Sequence, residues 1–176
     1  MLNNVPAKWD AEFDLVAIGS GAGGLCAAIT AQEYGQRALV VEKSAQVGGV
    51  TALSMGEVWV AGNHLAEAAG LEDSVESGFG YLRTLSMGYG SDLAILNKVV
   101  HARHALKYFE EKIGLRMEVI KSCPDYYYKH NDHAVAEGRM LECVPFPGES
   151  LGDWQHKTRL SPQMPYGMTH HDIFSA

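Results

Sequence analysis

The sequence predicts an α/β fold organised around one βαβ unit. Three observations carry that prediction. An apolar run at 13–18 (FDLVAI) ends at a cluster of glycines. A segment of small residues, 21–34, follows directly. A second apolar run at 38–41 (ALVV) ends at an acid, Glu42.

Each element has its own reason. Residues 13–18 are too few for a helix and end at a turn signal, so they predict a buried strand. Residues 21–34 predict a helix that Gly35 ends, because glycine readily takes the left-handed cap conformation. Residues 38–41 predict a second buried strand. The unit spans about 30 residues, as a βαβ unit requires, and its crossover should be right-handed. Residues 44–63 carry Gly48, Gly49, Gly56 and Gly62 and read as loop with short pieces. Residues 65–69 and 74–85 read as helices. The clearest helix is 92–113, where Leu93, Leu96, Val100, Leu106, Phe109 and Ile113 recur near helical spacing. Ser91 suits its N-cap and Gly114 its end. Residues 115–120 alternate and predict a strand. From Pro124 onward, prolines, glycines and aromatics predict loops with at most one hairpin.

Bulk properties narrow the function classes. A length of 176 residues suggests one domain. A net charge of −7 argues against nucleic acid as the main partner, because phosphate binding needs a basic surface. Cys26, Cys123 and Cys143 are widely spaced and form no CxxC pair, which fits reduced thiols in a cytoplasmic protein. The opening MLNNVPAKWDAEFD has neither a basic n-region nor a long apolar h-region, so no secretory signal is read. No apolar run is long enough for a membrane span.

The glycine turn carries the first chemistry. Gly19, Gly21 and Gly24 form a GxGxxG between strand and helix. Gly19 permits the turn, Gly21 admits a pyrophosphate against bare backbone, and Gly24 lets helix and strand approach closely. The helix N-terminus offers N–H groups and a partial positive charge to phosphates. Glu42 ends the second strand, where a carboxylate can accept from ribose hydroxyls and disfavours a 2′-phosphate. These residues make a Rossmann-like dinucleotide site and leave NAD and FAD open. The doublet Gly48-Gly49 with Thr51, just beyond Glu42, looks like the FAD enzymes.

The stretches DLVAIGSGAGGLCAAITAQEYGQRALVVEK and GGVTALSMGEVW resemble the flavoprotein family of fumarate reductase and succinate dehydrogenase flavoprotein subunits and 3-ketosteroid Δ1-dehydrogenases. Val58-Trp59 and CPDYYYKHNDHAVAEGR, with its Pro-Asp-Tyr-Tyr and Gly138-Arg139, are similar to the steroid branch. The resemblance implies FAD, bound by Gly19, Gly21, Ala22, Gly24, Glu42, Lys43, Gly48, Gly49 and Thr51. It implies dehydrogenation of a CH–CH bond beside a ketone, with a ketosteroid or related cyclic ketone as substrate. In that branch the first tyrosine of Pro-Asp-Tyr-Tyr supports a base tyrosine, which places Tyr126 in the catalytic set. An ordinary phenol has pKa about 10, so such a base needs neighbouring donors.

The chain departs from the family at Val50, where a small hydroxyl residue is common, at Met55, where glycine is common, and at Glu57. The family is also much longer. The whole of 1–176 therefore reads as the N-terminal part of an FAD-binding domain, without the substrate-capping domain. A second subunit supplying the rest of the flavoenzyme is one expectation, and a fragment is the other. Two alternatives stand beside the leading one. A fumarate-reductase-like flavoprotein would want Arg139 and Arg159 for a substrate carboxylate. A noncatalytic subunit would supply only a nucleotide-binding scaffold.

The remaining polar groups read as structural. Tyr126, Tyr127 and Tyr128, if extended, alternate faces, and their residue chemistry alone suggests an aromatic strand packing its rings. His101 and His104 read as a packed or solvated pair. His130, Asp132 and His133, and likewise His170, His171 and Asp172, read as polar turns rather than metal sites. His64 carries no distinctive motif for covalent flavin attachment.

Overall fold

The computed structural model describes residues 6, 8–162 and 169–174. Residues 1–5 and 7, part of the segment read for a signal, and the side chain of His171 lie outside the described residues. The chain forms two compact units: 1–53 with 149–159, and 54–148 with 160–176.

The first unit is the predicted βαβ. Strand β1 (Leu15–Ile18) pairs in parallel with β2 (Ala38–Val41), Leu15 opposite Ala38 and Ile18 opposite Val41. Helix α1 (Ala22–Glu33) crosses between them and packs on both. Gly35 follows its cap residue Tyr34 at φ +73°. The strands are less enclosed than predicted. Ala17 is buried toward α1, but Val16 and Ile18, on the opposite face by strand alternation, are exposed. Among the described residues this sheet has two strands, with a helix over one face.

The second unit holds a three-stranded antiparallel sheet in the order β3 (Val58–Trp59), β5 (Met140–Cys143), β4 (Met117–Val119). Leu141, fully buried, sits opposite Val58 on one side and Val119 on the other. Helices α2 (His64–Ala68), α3 (Val75–Leu85) and α4 (Asp92–Ile113) complete the unit, with a short α5 (His170–Phe174). Asn63, Ser74 and Ser91 cap α2, α3 and α4 by accepting from the third residue beyond each. Gly114 ends α4 in the left-handed conformation, as predicted. The core is Val60, Leu106, Met117 and Leu141, with Leu65, Ala102, Leu115 and Val119 packed against it.

Three expectations change. Helix α4 buries Ile95, Val99 and Leu106, while Leu93, Leu96 and Ile113 are exposed. Leu106 is buried as predicted, while toward the N-terminal end the buried positions are Ile95 and Val99 rather than Leu93 and Leu96. The tail contributes one strand, β5, paired with β3 and β4 rather than with a tail strand of its own. The tyrosines do not form a strand. Residues 126–127 turn, and Tyr128–His130 is a single 3-10 turn, held by Tyr128 N–H on the Asp125 carbonyl and His130 N–H on the Tyr127 carbonyl.

Candidate functional site: a glycine cradle and a phenol-lined cavity

The cradle in the first unit is built by backbone proximity. Gly19 takes φ +98° and donates to the Val41 carbonyl at 2.7 Å, which ties the turn to the end of β2. A Cβ on Gly24 would stand 1.9 Å from the Gly19 carbonyl oxygen, so no other residue fits there. Helix α1 differs from α2, α3 and α4 in having no side-chain cap at its N-cap Gly21 and no acid in its first turn. The Ala22 N–H donates to Thr51 Oγ1 at 3.0 Å. Gly49, at φ +56°, lies against Gly21: a Cβ on it would stand 3.1 Å from Gly21 Cα. The two glycine motifs thus touch through bare backbone, with the Thr51 hydroxyl beside them. Val50 is exposed, and the hydroxyl on this turn comes from Thr51 instead.

Glu42 is gripped from several directions. Its Oε2 accepts from Ser20 N–H at 3.0 Å and from Ser20 Oγ at 2.6 Å, and its Oε1 accepts from Ser44 N–H at 3.0 Å. The Ser20 hydroxyl bond foremost, then the backbone bonds of Ser20, Ser44 and Lys43, hold its pKa down to about 2. It is therefore an anion at any physiological pH. Lys43 itself is exposed. Ser20 is buried and also accepts from Gly48 N–H at 3.0 Å, so one hydroxyl couples the turn, the acid and the second glycine motif. Sequence reading missed Ser20, although it lies inside GSG. Arg159 donates to Ser44 Oγ at 2.9 Å and its backbone pairs with Val47.

These features fit a dinucleotide. The cradle excludes Cβ atoms where a pyrophosphate must approach, and a fixed carboxylate stands at the end of β2. The family comparison decides which one. A model described as "FAD binding domain" matches residues 14–175. The chain belongs to the FAD-binding domain family. Its cofactor is FAD.

Relatives of this FAD-binding domain are consistent in kind. It is 32% identical over 165 residues to 4-oxocyclohexanecarboxylate 2-dehydrogenase of Sinomonas cyclohexanicum, covering 93% of this chain and 29% of that protein. It is 36% identical over 140 residues to 3-oxosteroid 1-dehydrogenase of Comamonas testosteroni, covering 80% and 24%. The solved 3-ketosteroid Δ1-dehydrogenase of Sterolibacterium denitrificans, in complex with 1,4-androstadiene-3,17-dione, matches with a TM-score of 0.78 at 32% identity, covering 85% and 26%. The chain thus spans between 24% and 29% of the length of these relatives.

The second unit of the FAD-binding domain carries Tyr126. The residue is 88% exposed and lines a cavity of about 400 Å³. Trp59, Tyr81, Leu82, Leu85 and Met140 give the cavity an apolar wall, and Glu57, Lys98 and Asp125 add charge. Trp59 stacks on Tyr81 with centroids 5.8 Å apart. Burial raises the Tyr81 phenol pKa, the Asp125 charge raises it further, and a backbone bond from Tyr127 opposes both. Tyr81 is thus a poor base, and no sequence signal marked it. A larger cleft of about 590 Å³ is lined by Glu67, Glu72, Asp73 and Glu76 and contains none of the predicted residues.

The remaining predicted residues fall elsewhere. Arg139, proposed for a substrate carboxylate, is 1% exposed and already bound on both sides by Asp73 and Asp125. It cannot serve that role. Met55 sits at φ +59°, a backbone conformation that favours glycine. Glu57 pairs with His170 Nδ1 at 2.5 Å. Burial is the main cause of its raised pKa; His170 opposes the rise and Glu142 adds to it. His64 Nε2 meets Glu110 at 2.7 Å. His101 and His104 meet edge to face at 6.1 Å. Among the described residues no helix is long and apolar enough to cross a membrane.

Proposed function

We propose that this chain is the N-terminal part of the FAD-binding domain of a cytoplasmic enzyme that dehydrogenates a CH–CH bond next to a ketone in a ketosteroid or related cyclic ketone. The observation that carries the reading is Tyr126, a phenol on the wall of an apolar cavity in an FAD-binding domain whose relatives are ketone dehydrogenases. Three free cysteines support the compartment. The relatives lend the expected second subunit no support, and it is not part of this reading.

The reaction removes a proton from the carbon beside the ketone and a hydride from the next carbon, leaving a C=C bond. FAD supplies the two-electron acceptor for the hydride. The chain's own residues bind and orient. Gly21 and Gly49 present bare backbone to the pyrophosphate, and Glu42 accepts from ribose hydroxyls. Tyr126 donates a hydrogen bond to a base tyrosine, which lowers the cost of the phenolate. The aromatic wall of Trp59 and Tyr81 packs against the flat substrate.

The test uses the whole protein with a 3-ketosteroid and an artificial electron acceptor. It should purify yellow, and Tyr126→Phe should lower turnover about a hundredfold. Colourless protein that takes up no FAD, or unchanged turnover in the variant, would sink the reading.

One observation favours a second reading of the substrate. The carboxylates of the cavity are already engaged: Asp125 by Arg139, and Glu57 by His170. Lys98 has no carboxylate partner among the described residues, and its ammonium lies 5.9 Å from the centre of the Trp59 ring. A cyclic ketone that carries a carboxylate would supply that partner.

A further inference from the structure

We propose that the buried Arg139–Asp125 pair is the positioning device of Tyr126, fixing where the phenol stands on the cavity wall. This rests on the role proposed above for Tyr126.

The argument starts from what does not hold Tyr126. Its ring is 88% exposed, so packing cannot orient it, and its place depends on the backbone beneath. That backbone is pinned on both sides. Asp125, the preceding residue, is 4% exposed. Its Oδ1 accepts from Trp59 Nε1 at 2.7 Å, and its Oδ2 accepts from Arg139 Nη1 at 2.7 Å and from Val135 N–H at 3.0 Å. Its backbone N–H donates to the Val135 carbonyl. On the other side, the Tyr127 carbonyl accepts from His130 N–H at 2.8 Å, and the Tyr128 N–H donates to the Asp125 carbonyl at 3.0 Å.

Arg139 ties this to the rest of the unit. Its Nε and Nη2 grip the two oxygens of Asp73 at 3.0 and 2.6 Å, and Nη2 also donates to Ser77 Oγ at 2.8 Å. Its guanidinium lies over the Trp59 and Tyr81 rings at 5.3 and 5.6 Å. Strand β5, helix α3, strand β3 and the tyrosine turn therefore meet at one side chain. A fork with donors in fixed directions sets position as well as charge, which a lysine cannot reproduce. Burying one cation with two carboxylates is costly, and an apolar cluster could provide similar stability. What the ions add is a single register for the turn.

The test compares Asp125→Asn, Tyr126→Phe and the double variant in the whole, flavin-loaded protein, with Arg139→Lys beside them. Positioning predicts that Asp125→Asn lowers kcat at least about tenfold but lowers it no further once Tyr126 is Phe. Equal losses in both backgrounds would show a merely structural role and overturn the proposal. If Asp125→Asn does not fold, the same cycle is run with Arg139→Lys. A second readout is independent of turnover. Fluorotyrosine at position 126 should give one narrow fluorine resonance in the parent and several or broadened ones in Asp125→Asn. An unchanged line overturns the inference even if Tyr126 proves catalytic. If Tyr126→Phe leaves turnover unchanged but the resonance does broaden, the functional reading falls and the positioning stands.

Discussion

Gly24 and Gly19 are in backbone contact: a Cβ on Gly24 would lie 1.9 Å from the Gly19 carbonyl oxygen. Gly24→Ala must therefore push α1 away from the turn. Overpacking of this kind costs about 1–3 kcal/mol, and the displaced cradle should release FAD. Gly23, one residue earlier, has nothing within 4 Å of a Cβ. Gly23→Ala should instead stabilise the helix by about 0.5–1 kcal/mol. Urea midpoints and flavin absorbance after gel filtration check both. Equal behaviour of the two variants would contradict the close-contact account.

Glu42 gives a pH dependence of defined sign. Its folded pKa, about 2, lies below the ordinary carboxylate value of 4.5. The stability it contributes is fully present above 4.5 and is lost as pH falls toward 2. Glu42→Gln should be less stable than the parent near neutral pH, and the gap should close as pH falls through that window. A gap that stays constant down to the bottom of the window would show that the Ser20 and Ser44 bonds do not act on charge.

Glu57 has the opposite sign. Burial raises its folded pKa above the ordinary value. Its contribution is most favourable below the unfolded pKa and is lost as pH rises through the folded one. Glu57→Gln, a neutral stand-in for the protonated acid, should match or exceed the parent in stability at neutral pH. The advantage should vanish in acid. A clear loss of stability at neutral pH would mean that the His170 pair outweighs the cost of burial.

Lys98 separates the two substrate readings. Lys98→Met should raise KM about tenfold or more for a 4-oxocyclohexanecarboxylate-type acid. KM for the corresponding neutral ester should stay the same. Equal effects on acid and ester would remove Lys98 from substrate recognition and leave the neutral ketosteroid reading in place.

Much of the first unit was legible because its signals are local. Gly19, Gly21, Gly24 and Glu42 follow a fixed spacing set by one turn of backbone. Its one hidden member, Ser20, looks like any small residue until Glu42 and Gly48 are brought to it. Met55 was recognised as out of pattern, and its φ of +59° is a backbone conformation that favours glycine.

The second unit divides the same way. The bounds of α4 followed from Ser91 and Gly114, since caps act on the residues beside them. Which face of α4 is buried did not follow in full. Leu106 was marked by its spacing, but only contacts distant in sequence chose Ile95 and Val99 over Leu93 and Leu96. The sequence likewise marked CPDYYYKHND but not the turn it forms. That turn depends on Asp125 meeting Trp59, 66 positions away, and Arg139 meeting Asp73, also 66 away. Local chemistry therefore determined the cradle and the caps, because backbone conformation and charge act at short range. Tertiary structure alone decided the packed residues toward the start of α4 and the engagement of Arg139, because burial depends on partners that chain order does not reveal.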